Sequence, residues 1–434
     1  MRKIRIPYYK DHLTLSVDEE NLKAVILPKQ HKTGVSGTDA GDVVRASLEH
    51  PIGSPKLSEL AVGREKIVLI TSDHTRSVPS HITLPILLAE IRKGNPLADI
   101  TILVATGLHR PTTISELRLM FGDSIVDEER IVINDAYEDN DFVYICDLPS
   151  GASFSVHKLA AQCDLLIAEG FIEPHFFAGF SGGRKSVMPG ICSKVTVNEN
   201  HSFDAIAHPN AVTGVLEGNP IHEDMVAAAK AVNLRFIMNV ALNQDKEIIA
   251  AFSGDMQKAH DEGVAYIRKL SLCDAVMGDI VVTGNGGYPL DQNLYQSVKA
   301  VSTAEICAKE GAVIVMCCSC ADGIGGEYFE KVMTGGTPAD MMRKLSQIPP
   351  KETIPEQWNA QVYFKTLLRH PVILVSDFID AKIIKDANMI PAKHLDEAME
   401  KAYAIVGKDA KVVVIPDGVA VIIDKQPVMK EGVV

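Results

Sequence analysis

Apolar residues along this chain gather into short unbroken runs, each followed by Gly, Asp, Ser, Thr or Pro. Ile67-Val68-Leu69-Ile70 precedes Thr71-Ser72-Asp73, and Ile102-Leu103-Val104 precedes Ala105-Thr106-Gly107. Leu165-Leu166-Ile167, Ile280-Val281-Val282, Val313-Ile314-Val315, Val372-Ile373-Leu374-Val375 and Val412-Val413-Val414-Ile415 repeat the pattern. Runs of this length without polar alternation suit strands buried on both faces, as in a parallel sheet covered by helices. Helix-like stretches, such as Leu84 to Arg92 and Leu395 to Tyr403, separate them. The alternation predicts an α/β fold of two domains, each an open, mainly parallel sheet flanked by helices. A charged helical stretch from Met256 to Leu272 sets the expected boundary, giving domains 1–262 and 263–434, with the C-terminal tail free to pack back on the first. The Pro-rich segment from Ile348 to Pro355 reads as an excursion within the second domain. Ligands of open α/β sheets sit at the carboxyl ends of strands, so the polar loops after each run are the first place to look for chemistry.

Composition narrows the classes. The chain has 434 residues, with 43 Lys and Arg against 56 Asp and Glu, a formal charge of −13. At roughly 150 residues per domain, that length accommodates two cores. The acidic balance argues against nucleic acid as a partner, because phosphate neutralisation needs a Lys/Arg surplus. Met1 to Pro7 is basic without a following apolar run, and no stretch reaches the roughly 20 apolar residues that span a bilayer. Eight cysteines without periodic spacing do not read as a disulfide framework. The expectation is a cytoplasmic protein with no membrane or nucleic-acid partner.

Three post-strand loops are dense in histidine and cations. Asp73-His74-Thr75-Arg76 follows one strand, Thr106-Gly107-Leu108-His109-Arg110-Pro111 the next, and Glu173-Pro174-His175 leads into Gly179 to Ser186 after the third, with His201 beyond. Brought to one crevice, such histidines can move protons on two faces of a substrate or ligate a transition metal. His12, His31, His50 and His260 read instead as surface or structural residues. Gly179 to Ser186 is a near miss of the phosphate-binding loop, with Arg184 where the second glycine belongs. Lys185 is there a phosphate contact, an amine bonding covalently to a carbonyl or thioacyl group, or a solvated charge. Gly284 to Pro289 misses the dinucleotide fingerprint because Pro289 replaces its third glycine. Asp291 to Lys299 opens a helix whose start can hold a carboxylate or is simply capped. Cys317-Cys318-Ser319-Cys320 lacks the second pair that zinc needs, and Trp358, the only tryptophan, caps a pocket or packs.

Asp73 to Arg76, Ala105 to Pro111, His175 with the run Gly179 to Gly190, Asn200-His201, and Gly286-Gly287-Tyr288-Pro289-Leu290-Asp291-Gln292-Asn293-Leu294-Tyr295-Gln296 together resemble the nickel-dependent lactate racemase family, over nearly the whole chain. The resemblance implies two α/β domains with the active site in the cleft between them. It also implies a 2-hydroxy acid racemase, an isomerase working by proton-coupled hydride transfer through a pyruvate-like intermediate. The cofactor it implies is the nickel-pincer nucleotide, nickel(II)-pyridinium-3,5-bisthiocarboxylate mononucleotide, tethered at Lys185 and supplied by cofactor-building enzymes acting as transient partners. By the same resemblance His109 and His175 are the acid–base pair, and His201 ligates the nickel. Asp73, His74, Thr75 and Arg76 contact cofactor, while Arg76, Tyr295, Gln296, Lys299 and Trp358 contact substrate. Ile324 stands where a histidine is expected, which leaves the Cys317–Gly325 loop without an assigned role. Phe176 and Leu108 suggest a small apolar substrate tail, hence lactate. Malate, longer 2-hydroxy acids, sugar acids and a non-catalytic anion sensor of the same fold are the alternatives.

Overall fold

In the computed structural model, residues 1–29, 39–243 and 245–424 are described. Two six-stranded sheets organise them. The first runs, edge to edge, Ile248–Gly254, Leu234–Leu242, Leu165–Phe171, Lys66–Ser72, Asp99–Ala105 and Arg130–Ile133. It is parallel except for the antiparallel edge pair of its first two strands. The second runs Ile390–Ala392, Val372–Val375, Ala308–Cys317, Gly278–Gly284, Val412–Ile415 and Leu22–Val25, and is parallel throughout. Each of the seven apolar runs lies in one of these strands, because full burial on both faces is what an unbroken Val/Ile/Leu run can satisfy.

Helices cover both faces. Ser80–Gly94 lays Leu84, Leu87, Leu88 and Ile91 onto a core shared with Ile67, Leu69, Ile102 and Val104 of the first sheet. Leu395–Val406 does the same for the second sheet through Leu395, Ala398 and Ala402. Among the described residues no helix is long and apolar enough to cross a membrane.

The expected division at residues 1–262 and 263–434 does not follow the sheets. Leu22–Val25 pairs with Val412–Ile415, and the hairpin of Arg2–Tyr8 with Asp11–Val17 buries Ile4, Ile6 and Leu15 in the core of the second sheet. The N-terminal segment therefore belongs to the second half, for an alternating strand carries no signal of which sheet it will join. Residue 262 itself falls inside the helix Lys258–Ser271, which packs against the first sheet. Ile422–Asp424 pairs with Leu272–Asp274, and Ile422 packs among Ile172, Phe180, Val264 and Ile267 of the first half. The remainder of the tail, residues 425–434, lies outside the described residues, as does His31. Leu87 is completely buried, so Leu87→Ala is expected to cost about 2–5 kcal/mol in urea unfolding, from lost burial and the residual cavity.

Candidate functional site

Each sheet reverses its direction of winding once. In the first, the chain leaves Lys66–Ser72 toward one edge and returns to its other side with Leu165–Phe171. In the second, Gly278–Gly284 and Val412–Ile415 stand in that relation. Such switch points open a crevice at the carboxyl ends of the strands. One cleft joins them, lined from the first half by residues after strands Lys66–Ser72, Asp99–Ala105 and Leu165–Phe171, and from the second by Tyr295, Gln296, Lys299 and Trp358.

Asp73 is fully buried and holds His109, its Oδ2 lying 2.7 Å from Nδ1. Its Oδ1 accepts from the Thr75 amide at 3.1 Å and the Thr75 hydroxyl at 2.7 Å. Burial pushes the Asp73 carboxyl up, but the His109 charge and hydrogen bond, with Arg76 and Thr75, overcome it and hold the group far below the usual carboxylate range. With Nδ1–H directed at Asp73, the free nitrogen of His109 is Nε2, which can accept a proton.

His175 has the opposite arrangement. Its Nδ1 accepts from the Ala178 amide at 3.3 Å, so the neutral ring carries its proton on Nε2. Burial first, then the charges of Lys185, Lys299 and Arg76, drives its pKa well below the ordinary value. His201 sits between two aromatic rings, with centroids 4.9 Å from Phe177 and 4.8 Å from Trp358. Burial and Lys185 lower its pKa to about 3, and its buried Nδ1 has no hydrogen-bond partner.

Among the described residues none of the three cations forms a salt bridge, although Glu173 offsets part of the charge on Lys185 and Lys299. Arg76 Nη1 and Lys299 Nζ are buried without a hydrogen-bond partner, and Lys185 Nζ meets only the face of Phe177, 5.8 Å from its centroid. Burial, then Arg76, lowers the Lys299 amine to about 8. Burial, then Arg184 and Arg76, drives Lys185 well below its ordinary value. On the second half Asn293 caps the helix Leu294–Ile306, accepting from the Gln296 amide at 3.0 Å. The buried Asn285 reaches both ends of the next turn, Nδ2 to the Gln296 carbonyl and Oδ1 to the Ala300 amide, both at 3.3 Å. That turn carries Gln296 and Lys299. Trp358 Nε1 donates to Tyr295 Oη at 3.2 Å, joining the remaining two predicted residues. Two imidazoles and the cations Arg76, Lys185 and Lys299 thus line one cleft.

Residues 8–214 match the lactate racemase N-terminal domain and residues 273–423 the lactate racemase C-terminal domain. The chain belongs to the lactate racemase family. A lactate racemase of Thermoanaerobacterium thermosaccharolyticum is 47% identical over 424 residues, 98% of this chain and 99% of the relative. One of Lactiplantibacillus plantarum is 49% identical over 424 residues, 98% and 100% of the two chains. The solved lactate racemase apoprotein from Thermoanaerobacterium thermosaccharolyticum superposes with a TM-score of 0.93 at 46% identity, covering 98% of this chain and 100% of that one. A Thermotoga maritima protein of 18% identity, covering 86% of this chain and 100% of that one, shares the fold with a TM-score of 0.65.

Within this racemase-family cleft, two of the predicted residues stand back. His74 turns to the Thr112 hydroxyl at 3.1 Å, and Thr75 bonds Asp73 and lies 3.3 Å from His109 without lining the cleft. Two lining carboxylates escaped the sequence reading, Glu173 and Glu356. Glu173 was visible beside His175, and Glu356 stands two residues before Trp358 in a segment marked only by its prolines and its tryptophan. Its backbone is left-handed, with φ +67°, and its carboxylate fills the space where a Gly326 side chain would be, 2.1 Å from that Cβ position. The three clustered cysteines are buried, Cys318 Sγ bonding the Asp291 carbonyl at 3.1 Å. His12 pairs with Asp11 at 2.6 Å and His50 is exposed.

Arg184, also buried, shapes the loop before Lys185. It donates to the carbonyls of Ala178, Ser181 and Gly182 and to His222 Nδ1 at 3.1 Å, and lies 3.0 Å from His260 Nε2. Burial and Arg184 lower His222 to about 3 from its ordinary 6.5. A histidine with a depressed folded pKa stabilises fully above its unfolded value and loses that contribution as pH falls toward the folded one. Thermal stability is therefore expected to decline between pH 6.5 and 3. His222→Gln, which cannot titrate, should flatten the slope by about one proton, measured by Tm against pH.

Proposed function

We propose that this protein interconverts D- and L-lactate, with His109 and His175 as its two proton-handling groups. The observation that carries the reading is their opposite hydrogen bonding: His109 Nδ1 faces Asp73 at 2.7 Å, while His175 Nδ1 accepts a backbone amide at 3.3 Å. Each ring thus has its Nδ1 committed to the protein, which leaves Nε2 as the atom that handles a proton beside the same cleft. Arg76 and Lys299 grip the substrate carboxylate through charge-assisted hydrogen bonds, and Gln296 and Tyr295 orient the remainder. His109 Nε2 takes the hydroxyl proton of one enantiomer and becomes an imidazolium, and His175, protonated to an imidazolium with the substrate anion bound, returns a proton on the other side; the reverse reaction exchanges their roles, and each ring regains its starting state by proton exchange with solvent. Two histidines are required because enantiomers held by the same carboxylate present their hydroxyls to opposite walls. Phe176 and Leu108 line the cleft beside them and suit a methyl group.

The residues fit a nickel-pincer nucleotide. Lys185 has a buried amine without an ion-pair partner, suited to covalent attachment, and His201 offers an unpaired, neutral imidazole nitrogen. Among the described residues no cluster of three or more His, Cys, Asp or Glu could hold a metal alone. A cofactor bringing its own sulfur donors needs only one such protein ligand. When bound, this group would supply a hydride acceptor and donor for the hydrogen at the substrate's C2, a chemistry that would avoid a carbanion beside a carboxylate. Asp73 and Arg76 border the same space, with His74 and Thr75 supporting their loop, and Trp358 closes over His201. Cofactor-building enzymes are the transient partners, and a cytoplasmic location accords with eight free cysteines.

Protein co-produced with those enzymes should show a mass increase on the Lys185 peptide and retained nickel, and Lys185→Ala should show neither. A chiral assay across 2-hydroxy acids should find lactate racemised, with His109→Ala and His175→Ala each lowering kcat by about 100-fold or more. Turnover of malate or a longer acid in place of lactate would reassign the substrate, and no turnover by loaded protein would favour the anion-sensor reading.

A further inference from the structure

Glu169 is a buried carboxylate for which the chemistry above has no use. It lies in the strand Leu165–Phe171, between Lys66–Ser72 and Leu234–Leu242, and is 0% exposed. No lysine, arginine or histidine pairs with it among the described residues. Its partners are three hydroxyls. Oε1 accepts from Thr71 Oγ1 at 2.5 Å and Ser80 Oγ at 2.6 Å, and Oε2 accepts from Thr83 Oγ1. Burial raises its pKa against the pull of those hydrogen bonds. A carboxylate in such a position costs several kcal/mol of desolvation unless its bonds return it, and an apolar side chain would fill the space more cheaply.

The identity of the donors explains its presence. Thr71 closes the strand Lys66–Ser72, and Ser80 opens the helix Ser80–Gly94. Between them runs the connection from Asp73 to Pro79, which carries Asp73 and Arg76. One oxygen of Glu169 therefore receives a hydrogen bond from each end of this loop. Inside the loop the bonds are short-range, the Arg76 amide to the Asp73 carbonyl at 3.2 Å and Thr75 to the Asp73 carboxylate, and its outward bonds from Asp73 to His109 and from His74 to Thr112 tie its middle to the neighbouring loop. Those set its internal turn but do not set the separation of its ends.

We propose that Glu169 is a positioning residue of the active site, clamping both ends of the Asp73–Pro79 loop so that Asp73 meets His109 and Arg76 meets the substrate carboxylate. The inference rests on the racemase reading. Loss of the clamp moves two groups at once. Displacing Arg76 raises KM, and displacing Asp73 from His109 lowers kcat, whereas a residue serving the core alone changes neither.

The test compares cofactor-loaded wild type with Glu169→Gln, Thr71→Val, Ser80→Ala and Thr83→Val, measuring Tm, kcat and KM for both lactate enantiomers. Lactate turnover by loaded wild type upholds the racemase reading independently of the variants. Glu169→Gln is expected to raise KM about 10-fold and to lower kcat/KM by about 100-fold, the effect of misplacing reacting groups by about 1 Å. Thr71→Val and Ser80→Ala should each shift KM in the same direction. Thr83→Val removes the one donor outside the loop's ends and should lower Tm with both constants unchanged. If Glu169→Gln does not fold, the Thr71 and Ser80 variants decide. Wild-type constants in those two, with Tm alone reduced, would overturn the proposal.

Discussion

Three cations share a buried cleft with no carboxylate bonded to any of them, and the organisation of the molecule follows from keeping them there. Arg76 and Lys185 come from one sheet and Lys299 from the other. Buried charge without an ion-pair partner is costly, and an anion received in the cleft would offset it. Burial and Arg76 lower the Lys299 amine to about 8, the direction expected where like charges share a desolvated space. In a chain with a net charge of −13, this cluster is a local positive site in a negative field, suited to concentrating small anions.

That strain is borne by buried polar side chains behind the cleft. Arg184 gathers the carbonyls of the loop that presents Lys185, Asn285 spans the helical turn that bears Gln296 and Lys299, and Glu169 ties the two ends of the Asp73 loop. Each makes several hydrogen bonds and none lies on the open surface. Fully satisfied buried networks rigidify a structure because every alternative leaves a polar group unpaired. The two histidines inherit opposite proton arrangements from this framework, one through a carboxylate and one through a backbone amide.

The parallel sheets were legible because full burial leaves an unmistakable apolar run, and the ends of those runs pointed to Asp73, His109, His175 and Lys185. The N-terminal hairpin and Leu22–Val25 were harder to place, since nothing in an alternating or short strand specifies a partner four hundred residues away. Glu169 stands just past the apolar run Leu165-Leu166-Ile167 and Asn285 within a failed dinucleotide motif. Their roles depend on hydrogen bonds to residues 98 and 11 positions distant. Glu356 carried no motif at all.

The residue types and their spacing by themselves determined the fold class and the family, because burial pattern and motif are local properties of a chain. Tertiary structure alone decided which nitrogen of each histidine is free, that His74 turns away to Thr112, that the cations lack partners, and that the first strands serve the second sheet. Those are matters of which groups meet across long separations in a low-dielectric interior, where one hydrogen bond made or missing sets the charge state of a side chain.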